Sequence, residues 1–500
     1  MASEWPPVID KKVSAAASRF LAQAFAEARR QQIIPKIPRH SRWQRYDGPW
    51  PAYWACWEIA RGEIAAPFIA ALREAYPARF GEESKFPYKD PETYARAYLS
   101  AVIADSVIRA DRLSVKSPAA ISMLHELQRV VSIEGQRFGV LWLLEDVDFR
   151  AVAKETVGDI TLLPPSSPPE VLVSNLLPGA LWASDDYYPM PGAKHAGLLY
   201  ASGAGTGHHW DVTTPLNNAM GRFMQALRLA TATTALETMV WIGEPSMIHV
   251  ELPEAHRQAS DFPETWWRRV ATVTPDILPG LRRLTAMIDR LEQPKPTRKK
   301  GQGALPAIVI AIRRHSRSRR VTTWQDSVLE LATALEACLG PQGRDQEIGL
   351  TLRTRAAHLL AHDDSEQADA IYRDITDLYG VRSDIIHGNP EWKKDPQTLW
   401  AERGYTHIFE RDRTYALLDG WRDIVRRAIS ARLMLADERL GTPLWPLIGD
   451  ETPVDRLLAR RDKRDEWRAR IVEGAAAYGL PLLADPAPPL IDYLNRSGKP

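Results

Sequence analysis

Apolar residues recur at helical spacing over Val13–Arg30, Ile59–Glu74, Pro91–Arg112 and Leu216–Thr231. Between and around these stretches the pattern shortens to strand-like runs at Val130–Ile133, Val140–Leu144, Thr161–Leu163, Val171–Val173 and Leu198–Tyr200, and in broken form at Met239–Leu252. Proline clusters at Pro164–Pro169 and Pro189–Pro191, and the glycines of Gly203–Gly207, mark loops. Residues 1–293 therefore read as a mixed α/β region. A short stretch rich in Pro, Lys and Gly marks a linker at 294–303. From residue 304 to 440 the period is helical throughout, with helices expected at Leu305–Arg317, Trp324–Leu339, Glu347–Ala361, Glu366–Ile386 and Thr406–Ala436. The last carries Ala416, Leu417, Trp421, Ile424, Val425, Ile429, Leu433 and Leu435 on a broad apolar stripe. Helices joined by short loops predict an antiparallel bundle. Residues 441–500 form an extension, helical over Thr452–Ala477 and proline-rich from Pro481. The class expected is α+β.

Composition narrows the function classes. With 64 Lys and Arg against 63 Asp and Glu, the chain is no wholesale polyanion binder, and any nucleic-acid surface must be a local patch. One stretch qualifies: Arg290–Arg320 holds ten Lys or Arg against a single acid, Glu292. Its cluster Arg313, Arg314, Arg317, Arg319 and Arg320 is the candidate RNA-contacting face, although a solvated helix face has the same composition. The two cysteines, Cys56 and Cys338, supply neither a disulfide framework nor a cysteine zinc cluster, and they suit a reducing compartment. Met1–Lys12 lacks the apolar core of a signal peptide, and runs such as Ala307–Ile312 are too short to span a bilayer. A cytoplasmic protein with no membrane partner is expected.

Arg382 and His387 stand five positions apart at the close of the Glu366–Ile386 helix, followed by Gly388, Asn389 and Pro390 as stop signals. An arginine keeps its charge at any cellular pH, and a histidine trades a proton near neutrality. The spacing alone is not selective. With 49 arginines and 12 histidines, roughly three or four Arg-x(4–6)-His pairs arise by chance. Three occur: Arg353/His358, Arg355/His362 and Arg382/His387. A histidine in a last helical turn also suits the negative end of the helix dipole. Helix termination and phosphodiester chemistry therefore both fit the residues at this point. His358 and His362 have zinc-ligand spacing, but only Asp363 and Asp364 lie nearby, so no metal is expected. Gly203-Ala204-Gly205-Thr206-Gly207-His208-His209 lacks the lysine of a phosphate loop and reads as a flexible loop. Cys338 sits in an apolar helix and reads as core.

Asp326, the run Leu329–Leu339, the run Leu352–Ala357 and the motif Leu378-Tyr379-Gly380-Val381-Arg382-Ser383-Asp384-Ile385-Ile386-His387-Gly388 occur in an order that resembles the Apea-like HEPN domain. That domain belongs to the HEPN superfamily of prokaryotic antiviral-defence ribonucleases. The resemblance covers residues 305–437. It implies a helical bundle that homodimerises and acts as a metal-independent, cofactor-free endoribonuclease in abortive infection. In that scheme Arg382 and His387 are catalytic, and Ser383 fills the polar position after the arginine. Glu336 matches the family's glutamate and is expected to bridge to Arg353, Arg355 or Arg382. Asp384 either orients a basic group or is a plain solvated residue, and Asn389 either caps the helix or touches substrate. Residues 1–293 would sense an unspecified trigger. The alternative is a non-catalytic HEPN-like dimerisation or RNA-binding module.

RNA carries its own nucleophile in the 2′-hydroxyl. Cleavage needs that proton removed, charge on the phosphate stabilised and the 5′-oxygen protonated. A histidine suits the proton transfers and a guanidinium the phosphate. One copy supplies one histidine, so two motifs meeting across a two-fold axis would complete the set.

Overall fold

A computed structural model describes residues 10–30, 59, 63–80, 91–92, 95, 98–99, 136–164, 196–205, 209–243, 269–293, 306–321, 323–340, 347–362, 366–388, 410–447 and 452–488. The architecture is α+β, mostly helical with a small sheet region. Among the described residues, no helix is long and apolar enough to cross a membrane. The chain divides into two compact units. The first comprises 1–144, 153–219 and 237–257; the second comprises 145–152, 220–236 and 258–500. The helical unit thus extends beyond the expected 304–440 on both sides, and the stretch expected as an extension is built into it. The expected linker and the runs at 130–133 and 171–173 lie outside the described residues.

In the first unit, α1 (Lys11–Arg30) buries Val13, Ala17, Phe20, Leu21 and Ala24 along one stripe. That stripe packs on α2 (Ala66–Ala75), where Phe20 stacks on Phe68 with centroids 5.5 Å apart. A five-stranded sheet follows, built from β1 (Gln136–Glu145), β3 (Thr156–Val157), β4 (Ile160–Leu163), β5 (Ala196–Gly205) and β6 (Leu236–Gly243) in the order β3-β4-β5-β1-β6. The strand β2 (Val147–Asp148) belongs to the second unit. β3 and β4 pair antiparallel, with Thr156 opposite Thr161 and Val157 opposite Ile160, through a tight turn where Gly158 takes φ +58°. β4 and β5 are also antiparallel, with Leu162 opposite Leu199.

The glycine run departs from the expected loop. Gly203 to Gly205 finish β5, and α3 (His209–Thr231) starts at the last residue of the run. A Cβ on Gly203 would stand 3.0 Å from Val212 Cγ1 and 3.7 Å from Leu216 Cδ1, so glycine permits close helix–strand approach here. Trp142 Nε1 donates to Asn217 Oδ1 at 2.9 Å, fixing β1 to the same helix.

The second unit holds the later part of α3 from Met220, the parallel pair β2–β7 (β7 Ala271–Thr272), and α4 (Leu278–Glu292), α5 (Ala307–Arg317), α6 (Trp324–Leu339), α7 (Ile348–Leu360), α8 (Glu366–His387), α9 (Glu410–Ala436) and α10 (Arg461–Tyr478). α6 packs on α5, α7, α8 and α9, and α10 packs on α4, α7 and α9. The start of α6 is fixed by Thr323. Its Oγ1 accepts from Asp326 N at 3.1 Å and donates to Asp326 Oδ2 at 2.7 Å, a reciprocal N-terminal cap.

α9 is buried on nearly every side rather than along one stripe. From Leu417 to Leu435, only Gly420 is exposed and only Asp423 half-buried. Its buried arginines therefore end on carbonyls of other elements, with Asp423 of α9 itself as a further acceptor. Arg422 reaches Ser318 O, Arg427 reaches Leu360 O, and Arg426 binds Asp423, Leu229 O, Leu482 O and Asp485 O. Arg432 binds Trp445 O and Pro446 O and lies over the Trp445 ring.

His315, near the end of α5, is buried among these cations. Desolvation first, then the nearby charges of Arg319, Arg426, Arg228 and Arg422, hold its pKa well below the usual imidazole value, so it is neutral when folded. The unfolded chain takes up a proton near pH 6.5, and below that pH unfolding is favoured. Stability present above about pH 6.5 is therefore lost on acidification, at about 1.4 kcal/mol per pH unit. Denaturant unfolding of wild type and His315→Met between pH 7.5 and 5 tests this. The variant should show a shallower acid slope, and parallel curves would refute a neutral core imidazole.

Candidate functional site

α8 ends one residue later than its periodicity suggests, and Gly388 closes it in the left-handed region at φ +58°. Leu378 and Val381 are buried, which fixes the rotation of the last turns and leaves Arg382 34% exposed. Of the three arginines expected to meet Glu336, the structure selects Arg382. Its Nη2 lies 3.6 Å from Glu336 Oε1, and its guanidinium carbon lies 5.9 Å from the centre of the Tyr379 ring. Tyr379 completes the group by donating its hydroxyl to the same Glu336 oxygen at 2.6 Å. Burial, reinforced by that carboxylate, pushes the Tyr379 phenol well above its ordinary range, so it is a fixed donor. A carboxylate on α6 thus holds both a phenol and a guanidinium on α8.

The other two arginines are engaged elsewhere. Arg355 is buried and grips Asp455 with two bonds, 2.7 and 2.8 Å, while its Nη1 donates to Leu339 O and Gly340 O at the end of α6. Arg353 lies over the Tyr372 ring, 3.8 Å from Glu347. His362 sits 3.8 Å from Asp485. Among the described residues, no group of three His, Cys, Asp or Glu side chains is placed to hold a metal ion.

His387 is exposed at the helix end, while Ser383 and Asp384 are half-buried on the same turns. Asn389 lies outside the described residues. Ile348 and Leu350, at the start of α7, and Ile386 are 47%, 43% and 51% exposed. Gly349 lies against Tyr379, with an ideal Cβ 3.9 Å from its Cδ1, so the start of α7 flanks the arginine-bearing part of α8.

The basic cluster divides. Arg313 binds Glu292 at 2.9 Å, and Arg314 and Arg317 bind the buried Glu330 at 3.0 and 3.2 Å, all three with substantial exposure. Arg320 is exposed. Arg319 corrects the expectation of a solvent-facing patch. Its side chain is 5% exposed and points into the core near Asp419, so it presents nothing to an RNA in solution. The sequence held the signal: Ile308, Ile312, His315 and Arg319 recur on one helical face, and all four are buried. Tyr379 was visible only as a motif letter, because its partner lies 43 positions earlier. Cys338 is core as expected, with burial pushing its thiol up to about 12.

No protein-family model, curated protein or solved structure matches this chain.

Tyr379→Phe removes the hydrogen bond to Glu336 and little else. Urea unfolding should show a loss of about 1 kcal/mol, the scale of a partly exposed hydrogen bond to a charged group. An unchanged midpoint would mean that the bond is not held in solution.

Proposed function

We propose that the helical unit is a metal-independent endoribonuclease that cuts RNA through its own 2′-hydroxyl, with Arg382 and His387 as the catalytic residues. The observation that carries this reading is a guanidinium buttressed by Glu336 and Tyr379, with an exposed imidazole five residues further along the same helix. An arginine beside a fixed carboxylate at 3.6 Å, with no hydrogen bond to it, is positioned by charge while its N–H groups stay open to a ligand, which suits a phosphate clamp. Residues five apart on a helix differ by about 7.5 Å along the axis and about 140° around it. One copy therefore does not aim both groups at a single phosphodiester. Two copies facing each other bring the histidine of one to the arginine of the other, and the exposed Ile348, Leu350 and Ile386 give that face apolar area for a homodimer to cover.

In the composite groove, one His387 takes the 2′-hydroxyl proton and the 2′-oxygen attacks phosphorus. The second His387 protonates the departing 5′-oxygen, and the arginines neutralise the phosphorane charge. The products are a 2′,3′-cyclic phosphate and a 5′-hydroxyl. Ser383 and Asp384 orient these groups. Arg313, Arg314, Arg317 and Arg320 contact the RNA backbone from outside the groove, the first three exchanging their carboxylate partners for phosphate. The resemblance of the Leu378–Gly388 motif to that of HEPN defence ribonucleases supports abortive infection as the physiological setting, with the first unit as sensor.

A second reading, a dimerisation or RNA-binding module without catalysis, also suits the exposed apolar side chains. Single-stranded RNA incubated with the full chain in EDTA separates the two. Cleavage should yield cyclic phosphate ends, and Arg382→Ala and His387→Ala should each cut the rate by about 10²–10⁴ while the protein stays folded and dimeric. Ends bearing 3′-hydroxyls, or a requirement for a divalent ion, would refute the mechanism; RNA bound intact by wild type would favour the module.

A further inference from the structure

The buried guanidiniums of the helical unit place at least one N–H each on a carbonyl, hydroxyl or carboxylate, although the Nε atoms of Arg269, Arg422 and Arg427 have no hydrogen-bond partner among the described residues. Arg228 donates to Ala235 O and to Ser316 Oγ, and Arg269 donates to Pro488 O and, at 2.6 Å, to Asp419 Oδ2. Arg319 is the exception. Its guanidinium makes no hydrogen bond among the described residues, and its Nε is a buried donor with nothing to donate to. The nearest opposite charge is Asp419 Oδ1 at 3.7 Å, on a carboxylate already bound to Arg269. Its other charged neighbours, Arg422, Arg228 and Arg269, repel it. Burial, then Arg422, bring its pKa down to about 9 against the pull of Asp419.

His315 shows the same deficiency. It is buried and its Nε2 has no partner. Ser318 continues the helical turn in αR geometry, with its N–H on Arg314 O, so residues 315 and 319 project from one face of the chain. Two orphaned nitrogen groups therefore share one side of one turn inside a positively charged core. Desolvated donors of this kind are costly, and their presence in a folded chain points to a missing acceptor. A water molecule would accept a bond but leave the repulsion in place. An anion removes both penalties.

We propose that the turn after α5 is a buried binding site for a small tetrahedral oxyanion of the phosphate class, held by Arg319 with His315 beside it. The planar fork of a guanidinium matches two oxygens of such an ion, and the imidazole, as its Nε2–H tautomer, donates to a third. The ion acts as a structural counter-charge where α5, the turn after it and α9 meet. It is distinct from the surface pair Arg382 and His387 and does not depend on the ribonuclease reading.

The test is a titration of the full chain, exchanged into phosphate-free buffer, with inorganic phosphate followed by ³¹P NMR. A buried ion in slow exchange gives a separate bound resonance that saturates at one per chain and persists when sodium chloride is raised, because buried charges are little screened. Arg319→Met should lose this resonance, whereas Arg313→Gln with Arg317→Gln, on the surface, should keep it. Arg319→Met should also fold without phosphate at least as stably as wild type, since it removes an uncompensated buried charge. A parallel addition of adenosine monophosphate distinguishes the sources. Displacement of the bound signal assigns the site to a nucleotide's phosphoryl group, and persistence assigns it to the free ion; both uphold the oxyanion site. A single averaged resonance in wild type overturns the proposal even if Arg319→Met fails to fold, and so does a bound resonance that survives in the variant.

Discussion

The helical unit depends on arginines that terminate on the carbonyls of other helices. The last carbonyls of a helix have no partner within it and carry the negative end of its dipole. Here guanidiniums from neighbouring elements fill many of those positions. Arg427 reaches Leu360, the final residue of α7; Arg422 reaches Ser318, which caps α5; Arg426 reaches Leu229 in the last turn of α3. Arg355 does the same for the end of α6, and Arg468 for His358 in α7. Apolar packing alone tolerates sliding of one helix on another, whereas a buried fork aimed at a specific carbonyl does not. The lattice of such bonds explains how a helix carrying four arginines between Leu417 and Leu435 sits at the centre of the unit.

α8 is anchored differently, and that difference suits a working surface. Glu336 ties it to α6 through Tyr379 and Arg382, both partly open to solvent. Beyond Arg382 the burial thins: Ile385 is half-buried and Ile386, His387 and Gly388 are exposed. Rigid support on one side with free side chains on the other is what a substrate groove or a partner requires.

The order of the bundle helices was legible, and so were the bounds of α6 and α8 to within a residue, because apolar spacing and local stop signals agree there, whereas α3 begins at His209 instead of Leu216. Trp324–Leu339 begins after a threonine cap and ends before Gly340, and α8 runs until Gly388. The α+β class was legible for the same reason. What escaped was anything requiring knowledge of partners distant in sequence. β2 and β7 are two residues each and exist only through one another across more than a hundred positions. The glycines of β5 resembled a loop until the helix they accommodate was in view. Arg319 looked like surface because charge is ordinarily excluded from cores. Of the candidate site, the motif and its glutamate could be read, but the choice of Arg382 over Arg353 and Arg355 depended on where Asp455 and Glu347 fall.

The reach of Arg269 and Arg426 has a consequence for biogenesis. Their acceptors at Leu482, Asp485 and Pro488 follow them by 56, 59 and 219 positions. Until those positions emerge from the ribosome, Arg269 and Arg426 hold part of their bonds, to Asp419, Asp423 and Leu229 O, so the centre of the bundle is completed at the late stage of translation.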